Sequence, residues 1–352
     1  METTGMVDAR DEVIVQCSGL QVEFHTAEGE VRAVNGADFV VKRGRTLGVV
    51  GESGCGKSVT AQAILRIIPA PGRIVGGEIT YNLRSTAADG TDVTEKVVLT
   101  DLDARGKEIR RIRGRHISMI FQEPLTSLSP VHTIGNQIIE AIRLHQDVDK
   151  QQAREQAIEM LRLVGMPNPE QTIDSYPHQL SGGMRQRGMI ARSLCCHPSL
   201  LIADEPTSAL DVTTQAQILD LMQRLQKELD MSIMMITHDL GVVAETADDV
   251  IVMYLGRVVE SADVDSLFYD PKHPYTRALL RSIPRVDRDT GEKLEAIKGV
   301  VPDPFAFPSG CSFHPRCASF MKGVCDVTEP PEVRLGDGRT VRCHLYAQSD
   351  GV

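Results

Sequence analysis

No apolar run in this chain of 352 residues reaches the roughly 18 needed to cross a bilayer. The first dozen residues carry Glu2, Asp8, Asp11 and Glu12 and lack the apolar core of a signal peptide, so a cytoplasmic protein is expected. Any association with a membrane must then come through partner subunits. An excess of positive charge is missing too: 38 Lys and Arg stand against 48 Asp and Glu, a formal net charge of −10. That balance excludes broad, non-specific nucleic-acid binding, which needs a cationic surface. The basic run Arg105, Lys107, Arg110, Arg111, Arg113 and Arg115 is a local exception, expected to be a solvated helix face. Structural disulfides are not expected among the eight cysteines of a cytoplasmic chain. Four of them fall beyond residue 310 and need their own explanation. The length exceeds a single compact core and suggests about two domains.

What the chain does have is a complete phosphate-binding loop. Residues 51–58 read Gly-Glu-Ser-Gly-Cys-Gly-Lys-Ser, the pattern G-x-x-x-x-G-K-[ST]. Thr46–Val50 before it is a short apolar run suited to a buried strand, and Ser58–Ile68 after it has helical spacing until Pro69. In such a loop Gly51, Gly54 and Gly56 let the backbone curl until successive N–H groups face phosphate oxygens. Ser53, Cys55 and Val59 contribute backbone at the loop and first helical turn, and the helix N-terminus adds partial positive charge. Lys57 can neutralise the β- and γ-phosphates, and Ser58 can offer a hydroxyl to Mg²⁺. Cys55 fills a variable position and needs no redox role.

Further along, Leu200-Leu201-Ile202-Ala203-Asp204-Glu205 is an apolar strand ending in two carboxylates. Behind a phosphate loop the first acid, Asp204, holds Mg²⁺ and the second, Glu205, polarises the attacking water. Ser199–Ala203 and Ser232–Thr237 are strand-like and Thr213–Leu229 between them is helical, so a mostly parallel α/β sheet is expected. Val13–Phe24 and Val31–Val41 alternate like strands, with Gly29 at a turn. Gly72–Gly77 reads as a glycine-rich break, Gly77–Tyr81 as a strand and Arg84–Thr94 as an exposed loop of no assigned role. Asp147–Leu163 is helical, with Ala153, Ala157, Met160, Leu161 and Val164 on one face.

The octad Leu180-Ser181-Gly182-Gly183-Met184-Arg185-Gln186-Arg187 opens a helix with further backbone donors, a second phosphate grip. It resembles the signature motif of the ATP-binding-cassette (ABC) ATPases. The other motifs follow in that family's order. Gln122, in Met-Ile-Phe-Gln-Glu-Pro, resembles the glutamine loop, a Mg²⁺ and γ-phosphate contact that reports to membrane subunits. Ser208-Ala209-Leu210-Asp211 resembles the loop that crosses the dimer interface, and His238, in Ile-Thr-His-Asp, the switch histidine. Phe24 stands where the family has an aromatic that stacks on adenine. The resemblance covers about residues 12–260 and implies two cassettes facing head to tail, the signature loop of one completing the phosphate site of the other. ATP then acts as the glue and hydrolysis releases it. It implies a RecA-like sheet with antiparallel β and helical subdomains, the helical part at about 125–190. The expected domains are 1–260 for the nucleotide-binding unit and 261–352 for a small cysteine-containing region, where prolines and short strands take over.

There are no fused membrane helices, no second cassette and no long insertion between Gln122 and Leu180, which argues against exporters, translation factors and repair proteins. Asp270-Pro-Lys-His-Pro-Tyr-Thr-Arg-Ala-Leu-Leu280 and Gly310-Cys-Ser-Phe-His-Pro-Arg-Cys317 resemble the tail of peptide-importer ATPases, and Thr-Ser-Leu-Ser-Pro ending at Pro130 agrees, although Ser129 stands where that family more often has Asn. That resemblance implies an ATPase subunit of a di- or oligopeptide importer on the cytoplasmic face of the cell membrane. Its partners would be a second ABC ATPase subunit, two transmembrane permeases and an extracytoplasmic peptide-binding protein. Nickel or glutathione as cargo, or a non-transport regulatory ATPase, are the alternatives. Cys311, Cys317, Cys325 and Cys343 are spaced C-x₅-C-x₇-C-x₁₇-C. Zinc and iron–sulfur both accept four thiolates, and free thiols are a third alternative. Close C-x₂-C pairs are absent, which weighs against zinc. Similar peptide-importer ATPases with this cysteine set bind a [4Fe–4S] cluster, and the resemblance implies one here, in a structural role.

Overall fold

The computed structural model describes residues 12–86, 92–122, 127–208, 210–282, 297–303 and 305–347. In chain order the N-terminal elements are β1 (Val13–Thr26), β2 (Gly29–Lys42), β3 (Thr46–Val50), α1 (Lys57–Ile64), β4 (Gly72–Thr86), β5 (Asp92–Val98), α2 (Lys107–Ile112) and β6 (Ile117–Ile120). Then come α3 (Ile134–His145), α4 (Lys150–Leu163), α5 (Pro169–Thr172), α6 (Gly182–Leu194), β7 (Leu200–Asp204), α7 (Val212–Glu228), β8 (Ser232–Ile236) and α8 (Leu240–Thr246). The chain ends with β9 (Asp249–Tyr254), β10 (Arg257–Asp263), α9 (Val264–Tyr269), α10 (Pro274–Arg281), β11 (Glu332–Arg334) and β12 (Thr340–Arg342). No helix among the described residues is long and apolar enough to span a membrane.

The chain divides into two compact units, each assembled from separate segments. In the first (up to Val15, 41–46 and 81–236) the strands β6, β7 and β8 lie side by side and parallel, with Ile120 opposite Ala203 and Asp204 opposite Ile236. Every residue of the three is buried, and all but Ser118, Asp204 and Ser232 are apolar, the near-continuous apolar pattern of parallel strands covered on both faces. Helix α4 buries the expected face, Ala153, Ala157, Met160 and Leu161, with Val164 at its end. It starts where Asp149 accepts from the N–H groups of Gln151 and Gln152 while the Gln152 side chain accepts from the Asp149 N–H, a capping box. Helix α2 buries Ile109 and Ile112 and turns Lys107, Arg110 and Arg111 to solvent, as expected of the basic run.

The second unit (16–40, 47–80 and from Thr237 onward) holds β3 parallel to β9, followed by β10, β12 and β11 in antiparallel succession. Glu260 and Ser261 of β10 pair with Val341 and Thr340, so strands of the tail extend this sheet across the place where the composition changes. Four expectations need correction here. Gly72–Gly77 is no break but the start of the continuous strand β4. Gly77 is there for closeness: a Cβ would lie 2.4 Å from the Gly19 carbonyl oxygen of the neighbouring strand β1. Helix α1 stops at Ile64 instead of Ile68. Arg66 takes φ +55°, its N–H bonds to the Ala63 carbonyl, and the Ile67 N–H bonds to that of Gln62, a Schellman termination. Gly29 opens β2 rather than sitting in a turn, and the stretch 84–94 includes strand at both ends, its centre lying outside the described residues.

Candidate nucleotide site

The phosphate loop belongs to the second unit. Strand β3, buried throughout, delivers Gly51 at φ +151°, where a Cβ would stand 2.2 Å from the Met253 carbonyl oxygen. Gly56 enters α1 at φ +99°, and its Cβ would stand 2.3 Å from the Ala33 carbonyl oxygen. Both positions exclude any side chain, so the loop runs as bare backbone pressed between two neighbouring strands. Helix α1 has no side-chain cap at Gly56, which leaves its first N–H groups to the loop. Lys57 is buried, and its Nζ donates to the carbonyls of Gly51 (2.8 Å) and Glu52 (3.0 Å). Both partners are neutral carbonyls, which are weaker partners for an ammonium than anionic oxygens are. Burial pushes the Cys55 thiol up from its ordinary value, an inert protonated group. Ser53 and Gly54 are exposed at the loop's mouth, and Ser58 and Val59 are half-buried at its base. The half-buried Phe24 ring lies against Gly72, whose Cβ would come within 2.5 Å of it. His238 is exposed just beyond β8, and Asp239 behind it caps α8.

The first unit gathers the remaining motifs. Asp204 ends β7 at 4% exposure. Glu205 follows at φ +48°, its N–H held by the Ile236 carbonyl at 2.8 Å. This left-handed turn is costly for a residue with a Cβ, and it points the chain out of the sheet immediately after the buried acid. The Gln122 side chain donates to a Glu205 carboxylate oxygen at 2.8 Å. The Ser208 hydroxyl lies within hydrogen-bond distance of the Gln122 carbonyl (3.0 Å) and the Glu205 carbonyl (2.9 Å). Gln122 is therefore cross-linked to Glu205 and Ser208, 83 and 86 residues further along the chain, at one strand end; Ala209 and Glu123–Pro124 lie outside the described residues. Ser181 caps α6, accepting from the Met184 N–H at 3.3 Å, with Gly182 exposed and Gly183 half-buried beside it. Asp211 caps α7, and the Thr214 N–H and hydroxyl hold its carboxyl below the usual range. Sequence reasoning missed Gln186: fully buried on α6, its amide donates to the Pro206 carbonyl and ties the signature helix to the loop after Glu205. The available signal was a glutamine on the helix face shared with the buried Met189 and Ile190.

In the tail of the second unit Cys311, Cys325 and Cys343 are buried and Cys317 half-buried. The Cys311 N–H bonds to the Cys325 carbonyl at 2.8 Å. Burial, reinforced by the neighbouring cysteines, raises the thiols of Cys311 and Cys317 and pushes Cys343 up to about 11. No three of the four sulfurs lie within 4.8 Å of one another, the only such group of ligand atoms among the described residues being Glu23, His25 and Glu30. A tetrahedral zinc shell, with Zn–S near 2.3 Å, needs its sulfurs about 3.8 Å apart, so this arrangement does not match one.

Residues 34–208 match the family model "ABC transporter", and residues 259–325 match "Oligopeptide/dipeptide transporter, C-terminal region". The oligopeptide transport ATP-binding protein AppD of Bacillus subtilis is 48% identical over 336 residues, covering 95% of this chain and 97% of that protein. The chain belongs to the ATP-binding subunits of the oligopeptide/dipeptide ABC transporter family. The dipeptide transport ATP-binding protein DppD of Bacillus subtilis is similar at 46% over 338 residues, 96% of each chain. Among solved structures, the cassette MJ0796 in a dimeric post-hydrolysis state bound to ADP and phosphate shares the fold: TM-score 0.59, 24% identity, 71% of this chain and 99% of that one. CbiO1 of Clostridium perfringens, part of the transporter complex cbiONQ, gives 0.58 at 26% identity, covering 74% and 92%. In this subunit the phosphate loop, Gln122, the signature and the Asp204–Glu205 pair all fall inside the first family match, whereas three of the four tail cysteines fall inside the second.

Proposed function

We propose that this subunit hydrolyses ATP to power import of di- or oligopeptides through a membrane ABC transporter. The observation that carries the hydrolytic reading is the Gln122 amide on the Glu205 carboxylate at 2.8 Å: a candidate base one residue beyond a buried acid, oriented by a neutral donor. Glu205 takes the role of polarising the water that attacks the γ-phosphate. The loop Gly51–Val59 grips the phosphates, Lys57 exchanges its carbonyl partners for the β- and γ-phosphate oxygens, Phe24 stacks on adenine, and His238 contacts the γ-phosphate side. Ser58, Asp204 and Gln122 are the oxygen donors that would hold Mg²⁺, which supplies charge neutralisation when bound. Ser181, Gly182, Gly183 and Asp211 serve a second cassette's nucleotide, identical or homologous, in a head-to-tail pair. The functional division is nucleotide-binding residues 1–260, with a helical subdomain at about 125–190, and a C-terminal region 261–352; two separate family matches, over 34–208 and 259–325, support a split into two parts.

The peptide reading rests on relatives named for oligopeptide and dipeptide transport that match this chain from end to end. It places the subunit peripherally on the cytoplasmic face of the membrane, with two permease subunits and an extracytoplasmic peptide-binding protein. Reconstitution tests it. ATPase activity of the assembled complex should rise when peptide-loaded binding protein is added; stimulation by nickel or glutathione instead would reassign the cargo, and no co-purifying membrane protein would favour a regulatory ATPase. For the four cysteines we propose a structural [4Fe–4S] cluster. Three of them are buried and Cys317 is half-buried, no three of the sulfurs lie as close as zinc needs, and the other three cysteines help to raise the Cys343 thiol. Anaerobically purified protein should be brown, with about four iron and four sulfide per chain. Colourless protein with one zinc, or with no metal, would reject the cluster.

A further inference from the structure

Glu52 is a variable residue of the phosphate loop, and the motif asks for no carboxylate there. All three of its polar groups are nonetheless engaged. Its N–H donates to the Tyr275 hydroxyl at 2.9 Å, its carbonyl accepts from Lys57 Nζ at 3.0 Å, and its carboxylate accepts from both terminal nitrogens of Arg316 at 2.6 and 3.0 Å. The Arg316 side chain is 3% exposed. Its remaining Nε–H donates to the Lys298 carbonyl at 3.2 Å, and its guanidinium carbon lies 5.9 Å from the centre of the Tyr254 ring. Tyr254, Tyr275 and Phe313 pack together beneath it, with ring centres 4.7, 5.2 and 5.3 Å apart. Arg316 ends the short turn His314–Arg316, which is bounded by two cysteines: the His314 N–H bonds to the Cys311 carbonyl and the Cys317 N–H to the His314 carbonyl. A loop residue and a tail residue 264 positions apart thus form a planar two-pronged ion pair, the geometry that fixes orientation as well as distance.

We infer that Arg316 is a positioning residue for the phosphate loop, and that the fold of the cysteine-bearing turn 311–317 and the affinity for nucleotide depend on each other through its pairing with Glu52. The inference rests on the loop being the ATP site. Before nucleotide arrives, Lys57 cross-links the loop through the Gly51 and Glu52 carbonyls. Phosphate must draw Lys57 away, and the loop then loses those internal bonds. The contacts of Glu52 with Arg316 and Tyr275 do not involve Lys57 and survive the exchange, so they hold the loop in its phosphate-ready shape. Removing them makes binding bear the cost of ordering the loop, which lowers affinity. Coupling of this kind is reciprocal: if the tail turn supports nucleotide binding, nucleotide must steady the tail turn by the same factor.

The test is a titration of MgATP onto the purified full-length chain, for wild type, Glu52→Gln, Arg316→Met, Arg316→Lys and the double variant. Each of Glu52→Gln and Arg316→Met should weaken MgATP about tenfold, the double variant no further than the worse single, and Arg316→Lys should recover part of the loss. Turnover of Arg316→Met at saturating ATP should stay within about twofold, because Arg316 lies outside the phosphate loop and does not touch the hydrolytic group. Amide hydrogen exchange over residues 311–317 should slow on adding MgATP to wild type and not to Glu52→Gln. A purely structural pair would lower thermal stability without that reciprocal protection. Singles that bind like wild type, losses that multiply in the double variant, or exchange at 311–317 indifferent to MgATP would each overturn the inference. Should Arg316→Met not fold, Glu52→Gln alone carries both readouts. Failure of the ATP-site reading looks different: wild type itself would not bind MgATP.

Discussion

Two helices of this subunit, α1 and α6, are proposed above to grip phosphate, and they begin in opposite ways. Helix α1 starts at Gly56, left-handed, uncapped and so confined that a Cβ would meet the Ala33 carbonyl at 2.3 Å. Helix α6 starts at Ser181, in extended conformation, exposed, with its hydroxyl satisfying the Met184 N–H. The first leaves its donors unmet by any side chain and buries a lysine among them; the second covers one donor with its own serine, and its first charged residue, Arg185, comes a turn later with its Nε donating to the Pro177 carbonyl. The difference fits the division of labour proposed above. A terminus that must take the phosphates of its own nucleotide is built from backbone and a cation. A terminus that serves a second cassette's nucleotide only when the two meet has to be stable while it waits.

The largest expected effect lies with neither terminus, and it separates gripping from chemistry. Glu205→Gln keeps both helix ends and the Gln122 contact but removes the base, so turnover should fall roughly 10²–10⁴-fold while MgATP still binds. Single-turnover kinetics in the assembled transporter check this; near-normal hydrolysis would mean that another group activates the water or that the partner cassette carries the flux. Next comes Lys57→Ala. It deletes the one buried cation of the α1 grip, and losing a charge-assisted partner of phosphate should weaken MgATP on the order of a hundredfold. If the isotherm moves by less than about threefold, the backbone donors hold the nucleotide unaided and the contrast with α6 collapses.

How much of this was legible in the sequence depends on what kind of interaction made it. Strand β3 falls on the residues that its apolar run marked, and β7 and β8 within one residue of theirs, because each has a continuous apolar interior with its one polar residue only at an end. The order of the motifs gave the family. The end of α1 was missed because its left-handed terminal residue is Arg66, where a glycine would have signalled the stop. Gly76 and Gly77 carried the opposite ambiguity: glycine marks a turn or a close approach of backbones, and only the neighbouring strand decides which. Arg316–Glu52 could not be read at all. A pair separated by most of the chain leaves no periodicity, and each partner taken alone is an ordinary surface charge.

Gly56→Ser should have a smaller effect than Lys57→Ala on nucleotide affinity but a clear one on folding. It offers α1 the cap that α6 already has, at a position where a side chain must displace the Ala33 carbonyl and adopt φ +99°. Strain of roughly 1–3 kcal/mol from each source is expected. Thermal unfolding should drop by several degrees, where a capping gain would have raised it. An unchanged or higher midpoint would show that the loop can open to receive a side chain.

The smallest effect is the mirror substitution, Ser181→Gly, and it completes the comparison. Serine at an N-cap is worth about 1 kcal/mol over alanine but only a few tenths over glycine, which adopts the capping backbone easily and lets water reach the freed N–H. The Ser181–Met184 bond is long at 3.3 Å and lies at an exposed end, which places its contribution toward the low side. Stability of the isolated chain should therefore fall by a few tenths of a kcal/mol, within about a degree in melting temperature. Nucleotide binding at the chain's own phosphate loop should not change. What should suffer is ATP-driven pairing of two cassettes, because the hydroxyl that caps α6 in the single chain is the donor lost from the partner's phosphates. Sedimentation of the Glu205→Gln background with MgATP, with and without Ser181→Gly, reads that difference directly. Equal dimer in both would leave Ser181 a helix cap and nothing more, and a loss of stability as large as that of Gly56→Ser would erase the distinction between the two termini.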